Sequence, residues 1–261
     1  MNTLKKSLAL LGIMSVWGSI SLPTSAQTPQ VLIAQVSAED FFNRGVEKFD
    51  AGDLEGAIAD YNEAIRLNPN YAIGYYNRGN ARANSGDLEG AIADFDEAIR
   101  LNPNLAEAYI VRGNARAISG DLEGAIADYN EAIRLNPNLA EAYSNRGNAR
   151  ANSGDLEGAM TDFDEAIRLN PNLAEAYSNR GIARAKSGDL EGAMTDYNEA
   201  IRLNPNYEDA YSSRGLARAI SGDVSGGKMD LQRAAELFEQ QGNTAMLQTV
   251  MSLLEQLNFS R

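Results

Sequence analysis

Residues 140–173 read AEAYSNRGNARANSGDLEGAMTDFDEAIRLNPNL, and residues 174–207 repeat this stretch of 34 residues with five differences. Recurrence at a fixed period of this length is typical of chains built from stacked structural units. The same pattern begins at positions 38, 72, 106 and 208, so that six copies occupy 204 of the 261 residues. We therefore expect one repeated fold rather than one or two ordinary globular domains.

Each copy contains two amphipathic segments. The first ends at Gly154-Asp155, where glycine can take the left-handed conformation that ends a helix and aspartate can cap the next helix. The second ends at Asn170-Pro171-Asn172, because proline cannot continue a helix. One hairpin cannot bury the apolar stripe of its second helix, so neighbouring copies must stack. The residues of that stripe are Leu156, Ala159, Met160, Phe163, Ala166 and Ile167.

The recurring aromatic, glycine, alanine and proline positions resemble the tetratricopeptide repeat. In the second copy they are Tyr75, Gly79, Ala91, Phe95, Ala98 and Pro103. The resemblance implies an all-α fold, a right-handed superhelical solenoid of antiparallel helix pairs whose first helices line a concave groove. The implied repeats span 38–71, 72–105, 106–139, 140–173, 174–207 and a degenerate sixth, 208–241.

Residues 242–261 are expected to cap the solenoid with a helix. Leu247, Val250, Met251 and Leu254 recur at helical spacing, with glutamine and glutamate between them. A helix of this kind shields the last repeat from water. The alternative is an amphipathic membrane helix, which would need lysine and arginine to face lipid headgroups.

Two positions of copies two to six carry arginine where the family pattern favours leucine and tyrosine, as at Arg78 and Arg82, and the first copy has Arg44 and Lys48 there. These positions face the second helix of the pair rather than the groove, where a charge must be paired to be tolerated. We predict that the arginines bind an aspartate of that second helix. The alternative is that the ten arginines of copies two to six form an anion-binding ladder. The predicted partners are Asp60, Asp94, Asp128, Asp162, Asp196 and Asp230.

The composition excludes several classes of function. With 23 Lys and Arg against 36 Asp and Glu, the net charge is −13, which argues against a nucleic-acid partner. The chain has no histidine and no cysteine, so we expect no catalytic triad, no thiolate nucleophile, no metal site and no cofactor. We expect no enzyme; the remote alternative is a hydrolase using paired carboxylates, but acids such as Asp155 and Glu157 recur in every copy as helix-capping residues.

The N-terminal residues resemble a secretory signal. Lys5 and Lys6 precede a mostly apolar stretch that ends before small residues up to Ala26. We predict a signal peptide at 1–26, a linker at 27–37, and a mature protein in the periplasm or another extracytoplasmic space, with no membrane contact after cleavage. The alternatives are an uncleaved N-terminal membrane anchor and cleavage nearer Ala34.

The groove positions are where the copies differ, and we predict that they bind another protein or an extended peptide. A carboxamide offers a donor and an acceptor, as a peptide backbone does. The carboxylates of Glu107, Glu141, Glu175 and Asp209 favour a neutral or basic segment. The alternatives are asparagines that are merely tolerated at exposed positions and self-association by end-to-end stacking of repeats. The predicted asparagine row is Asn77, Asn80, Asn84, Asn114, Asn145, Asn148, Asn152 and Asn179. The predicted apolar patch at its N-terminal end consists of Phe42, Val46, Phe49, Ile73, Tyr76, Ile110, Val111 and Ile118.

Overall fold

The computed structural model describes residues 36–259, and over this range its regular structure is entirely α-helical, as the sequence predicts. The predicted signal peptide, its cleavage site and most of the linker lie outside the described residues. No helix within the described range is both long and apolar enough to cross a membrane. The helices are α1 (Ala38–Asp50), α2 (Leu54–Leu67), α3 (Ala72–Ser85), α4 (Leu88–Leu101), α5 (Ala106–Ile118), α6 (Leu122–Leu135), α7 (Ala140–Ser153), α8 (Leu156–Leu169), α9 (Ala174–Lys186), α10 (Leu190–Leu203), α11 (Glu208–Ile220), α12 (Val224–Gln240) and α13 (Thr244–Phe259).

Local capping sets the ends of these helices. Gly154 adopts φ +94°, and the side chain of the next residue, Asp155, accepts a hydrogen bond of 2.9 Å from the Gly158 N–H in the first turn of α8. At the other end of α8, the Asn170 side chain accepts a hydrogen bond of 3.1 Å from the Asn172 N–H. The Gly-Asp and Asn-Pro-Asn turns therefore divide the chain where the sequence pattern predicts.

A glycine and an aromatic ring bring the two helices of each of the first five pairs close together. Phe163 of α8 is fully buried against Gly147 of α7. A Cβ atom on Gly147 would lie 2.7 Å from the Cε1 atom of that ring, which is too close for any larger residue without a shift. The same ring packs against Ala183 of α9 in one buried cluster. Each aromatic residue thus joins its own pair to the next one.

The C-terminal end of the stack differs from the interior. Helix α12 has 17 residues, whereas the second helices of the other pairs have 14. Leu231 and Phe238 of α12 form a buried cluster with Val250 of α13. Helix α13 therefore covers the apolar side of α12 that another helix pair would otherwise cover. Two of its methionines remain partly exposed, Met246 at 36% and Met251 at 47%.

Candidate functional site

The side of each first helix that faces its partner helix carries a buried ionic network. Arg112 of α5 donates to the Asp128 carboxylate from Nε (3.0 Å) and Nη2 (2.5 Å), and Arg116 donates to it from Nη1 (2.8 Å). The Asp128 side chain is only 4% exposed. The predicted pairing is confirmed, and the alternative of a free anion-binding ladder is wrong because carboxylates already occupy these guanidinium groups. The equivalent bonds reach Asp60, Asp94, Asp162, Asp196 and Asp230.

The same arginines also join successive pairs, which the sequence argument missed. Nη1 of Arg112 donates to Asp96 of the preceding pair at 2.5 Å. Its guanidinium lies 5.5 Å from the centre of the Tyr109 ring. We call the hydrogen bond from such an arginine to the second helix of the preceding pair, here from Arg112 to Asp96, the staple. The acceptor of the staple alternates along the stack between asparagine and aspartate: Asn62, Asp96, Asn130, Asp164 and Asn198.

On the opposite side of the first helices, three recesses of equivalent position lie along the groove. They have volumes of about 260 Å³ between α3 and α5, about 370 Å³ between α5 and α7, and about 360 Å³ between α9 and α11. An aromatic residue of a second helix lines each recess: Phe95, Tyr129 and Tyr197 respectively. Because the floor is shared, the chemistry of each recess is decided by the side chains on its walls.

Asparagines line the recess between α5 and α7. These are Asn114, Asn145, Asn148 and Asn152. The Tyr129 hydroxyl donates to Asn114 Oδ1 at 2.8 Å, and Asn145 Nδ2 donates to the same oxygen at 3.0 Å. Burial raises the pKa of Tyr129, so its hydroxyl stays protonated and acts as a donor. The Asn114 oxygen is therefore already hydrogen-bonded within the protein. Asn148 and Asn152 also line the recess, and their carboxamides form no hydrogen bond within the described residues.

The structure separates the other predicted asparagines. Asn80 and Asn84 line the recess between α3 and α5 together with Phe49. Asn77 donates to the Ile73 carbonyl at 2.9 Å, one turn earlier in its own helix. Asn179 lies 3.5 Å from a Glu175 carboxylate oxygen. The predicted row is thus divided among several joints, by which we mean the interfaces between successive helix pairs.

The apolar residues predicted at the N-terminal end divide into two groups. Phe42 is half-buried, with its ring centre 5.3 Å from that of Tyr71, and Tyr76 packs against Phe95 at 6.2 Å. Ile110 is only 6% exposed and lies in a buried cluster with Ala132 and Ala142. Its place in the predicted exposed patch is therefore wrong, because its side chain fills the joint between helix pairs. Ile73 and Ile118 are exposed, at 37% and 73%.

Sequence reasoning missed the recess between α9 and α11, which we call the apolar recess. Ile182, Leu216 and Ile220 line its walls above Tyr197. Leu216 is 43% exposed and Ile220 is 64% exposed. The signal was present, since Ile182 and Leu216 are apolar where three of the first four copies have asparagine, and Ile220 is apolar where two earlier copies have asparagine. Lys186 also lines this recess and forms no ion pair within the described residues.

A recess of about 390 Å³ between α7 and α9, which we call the acidic recess, has a different character. Glu141 and Glu175 line it, and neither forms an ion pair within residues 36–259. Ser144 also lines it and is 3% exposed, and its hydroxyl has no hydrogen-bond partner among the described residues. The acidic recess therefore combines unpaired carboxylates with an unsatisfied polar group.

Comparison with known proteins identifies the repeats. A family model described as "TPR repeat" matches residues 45–86, 113–154, 147–188 and 183–220, and one described as "Tetratricopeptide repeat" matches residues 72–105. A search of curated proteins found no significant match.

Among solved structures, MamA is 27% identical, with a TM-score of 0.56 over 63% of this chain and 96% of that chain. YrrB, described as a TPR protein with an unusual peptide-binding site, is 24% identical, with a TM-score of 0.55 over 68% of this chain and 91% of its own. A tetratricopeptide repeat protein from Parabacteroides merdae ATCC 43184 is 19% identical, with a TM-score of 0.67 over 86% of this chain and 94% of its own. The latter two likenesses show the fold alone.

Proposed function

This chain belongs to the tetratricopeptide repeat family, and from that premise we propose that it is a protein–protein interaction scaffold. It binds an extended peptide or protein segment in the groove formed by its first helices, outside the cytoplasm. The function is binding rather than catalysis. YrrB, a solved protein of this fold, is described as having a peptide-binding site, which supports a polypeptide as the ligand.

The observation that carries this proposal is the recess between α5 and α7. Asn148 and Asn152 line it, and neither carboxamide is engaged in a hydrogen bond within the described residues. Each of these side chains can donate to a peptide carbonyl and accept from a peptide N–H. Bonds to the peptide backbone hold a segment without selecting its side chains. The arrangement therefore suits an extended main chain.

The charge of the groove favours a neutral or basic segment. Glu107, Glu141, Glu175 and Asp209 occupy equivalent positions in successive first helices, and all four are exposed. Desolvation of its carboxyl group and the neighbouring carboxylates of Glu208 and Glu175 raise the pKa of Asp209. The carboxylates of Asp209 and Glu175 therefore repel each other, and a positively charged ligand relieves this repulsion.

The proposed location rests on the N-terminal sequence. Lys5 and Lys6, the apolar stretch after them and the small residues before Gln27 form the pattern of an exported chain. The absence of cysteine suits an oxidising compartment, where a free thiol would be reactive. N-terminal sequencing of the protein from cell fractions tests this. A mature protein that begins near Gln27 in the extracytoplasmic fraction supports export, and an intact Met1 in the membrane fraction supports the anchored alternative.

A capture experiment tests the binding function. The mature protein is immobilised and exposed to the extracytoplasmic fraction, beside a triple variant with Asn80→Ala, Asn148→Ala and Asn152→Ala. We expect the variant to lose the captured polypeptide. The matched control changes Asn104, Asn138 and Asn172 to Ala, since these asparagines lie in the turns between pairs. Equal capture by all three proteins contradicts the proposed role of the groove asparagines.

Self-association is the second candidate function, and one observation favours it. The Arg44 side chain on α1 is 51% exposed, whereas the equivalent Arg112 side chain is 14% exposed because the preceding pair covers it. A second copy that supplied a staple acceptor to Arg44 would bury this surface. Light scattering over a range of protein concentrations measures this directly. A mass that rises with concentration in the wild type but not in an Arg44→Ala variant supports self-association.

A further inference from the structure

We propose that the groove recognises a segment in which a basic side chain and an apolar side chain, roughly four residues apart, enter the acidic recess and the apolar recess respectively. This inference rests on the proposed function and specifies its ligand. The two recesses lie on either side of α9, which contributes Glu175 to the first and Ile182 to the second.

The acidic recess has the groups that a lysine or arginine side chain needs. Glu141 and Glu175 supply carboxylate oxygens without a cation partner in the described residues, and Asn145 supplies a carboxamide oxygen. Ammonium and guanidinium groups carry only donors, so they match a wall of acceptors. Ser144 adds a buried hydroxyl to this wall that has no hydrogen-bond partner among the described residues and can accept from the cation.

An organic cation fits this recess better than a metal ion. Within the described residues there is no group of three or more Asp or Glu side chains placed to hold a metal. The recess has a volume of about 390 Å³, and Ala140 and Leu173 contribute apolar surface to its lining. The apolar stem of a lysine or arginine can lie along these two side chains while its charged end reaches the carboxylates.

The apolar recess suits an aliphatic or aromatic side chain. Ile182, Leu216 and Ile220 surround it, and it has a volume of about 360 Å³. A single apolar side chain that removes these residues from water provides the anchor of an interface. Lys186 on its edge repels a basic side chain. The basic side chain therefore enters only the acidic recess and the apolar side chain only the apolar recess, which fixes the orientation of the ligand in the groove.

The geometry of α9 sets the spacing of the two side chains. Glu175 and Ile182 are seven positions apart, which is roughly 10 Å along a helix. The recesses are also displaced by about one interhelical distance, roughly 8–10 Å. The diagonal between them is therefore about 13–14 Å, which an extended peptide covers in roughly four residues.

Fluorescence anisotropy with labelled peptides tests the proposal on the full mature chain. The parent peptide carries one arginine and one leucine, four positions apart, in a serine-asparagine background. Matched peptides change the arginine to glutamate, change the leucine to asparagine, or place the two residues side by side. We expect each change to weaken binding at least about tenfold, and added salt to weaken only the peptides that carry arginine.

Protein variants assign each effect to its recess. Glu141→Gln with Glu175→Gln should remove the preference for arginine, and Ile220→Asn should remove the preference for leucine. Glu123→Gln is the matched control, because this glutamate is exposed in the first turn of α6 and lines neither recess. Because all these positions are exposed, we expect each variant to fold, and circular dichroism checks this.

Equal binding of the parent and matched peptides overturns this inference and leaves the proposed scaffold function standing. A preference for arginine that survives the double glutamine variant also overturns it, because the cation must then bind elsewhere. The scaffold function itself is tested by the capture experiment, whose asparagine substitutions leave both recesses unchanged. The two failures are therefore distinguishable.

Discussion

The two sides of each first helix obey different constraints. On one side, Arg146 and Arg150 bind the buried carboxylate of Asp162, and the same arrangement recurs in the neighbouring pairs. On the other side, the equivalent positions carry asparagine in α7 and isoleucine or lysine in α9. A buried charge tolerates only a matching partner, whereas an exposed position tolerates many residues. The comparison teaches that the ion-paired positions keep their charge in every copy, whereas the positions that line the recesses differ from copy to copy.

The largest effect on stability is expected at Phe95, which is fully buried between helices and also lines a recess. A Phe95→Ala variant removes a fully buried ring and should destabilise the protein by about 3–5 kcal/mol. Urea unfolding followed by circular dichroism measures this, with stability analysed as a sum of repeat and interface contributions. Phe95→Tyr is the matched control, because tyrosine occupies the equivalent position in α6. Equal losses in both variants would contradict the role of cavity formation.

Removal of one carboxylate from the ionic network should have the next largest effect. Asp128→Ala leaves Arg112 and Arg116 without their shared buried partner and should cost about 3 kcal/mol. Glu123→Ala, an exposed acid in the same helix, should change stability by no more than about 0.5 kcal/mol. Urea unfolding of the two variants gives the difference. A small loss for Asp128→Ala would show that solvent screens the network.

Acid should weaken the same network in the first pair. Hydrogen bonding from the Arg44 side chain lowers the pKa of Asp60 to about 2, against the opposing effect of burial and with help from Lys48. Because this pKa lies below the value of 3.8 for a free aspartate, the ionised carboxylate stabilises the folded protein above that value. The stabilisation, about 1–2 kcal/mol, is lost as the pH falls from about 4 to about 2.

The comparison of wild type with Asp60→Asn over this pH range measures the loss. The gap in unfolding free energy should be widest near neutral pH and should narrow in acid. A gap that stays constant down to about pH 2 would exclude ionisation of Asp60 as its cause.

The smallest effect on stability is expected on the groove side. Asn148→Ala should change the unfolding free energy by no more than about 0.5 kcal/mol, because this side chain lines an open recess. The same variant should reduce capture of a polypeptide ligand. A loss of stability comparable with that of Asp128→Ala would remove the distinction between the two sides.

Features that depend on local chemistry were predictable from the sequence. The Gly-Asp and Asn-Pro-Asn turns act within a few residues, so their positions follow directly from the pattern. The pairing of Arg112 with Asp128 follows from one hairpin, because both residues lie on facing helices of the same pair. The repeated period made these inferences stronger than they would be for a single hairpin.

Features that depend on how one pair lies against the next were not predictable. Ile110 sits at the border between the groove and the joint, and only the rotation of successive pairs places it in the buried cluster with Ala132 and Ala142. The apolar recess needs walls from α9 and α11 in register. The predicted row of groove asparagines is divided because each recess is formed by one interface between successive helix pairs.

The alternation of asparagine and aspartate as staple acceptors decides which deletions of hairpins keep the order of the staples along the stack. Asp96 and Asp164 make ionic staples, whereas Asn62, Asn130 and Asn198 make neutral ones, and tyrosine or phenylalanine alternates beside them in step. Deletion of two adjacent hairpins preserves this order, but deletion of one brings two joints of the same kind together. The order of the staples therefore repeats every two hairpins, twice the length of the visible repeat.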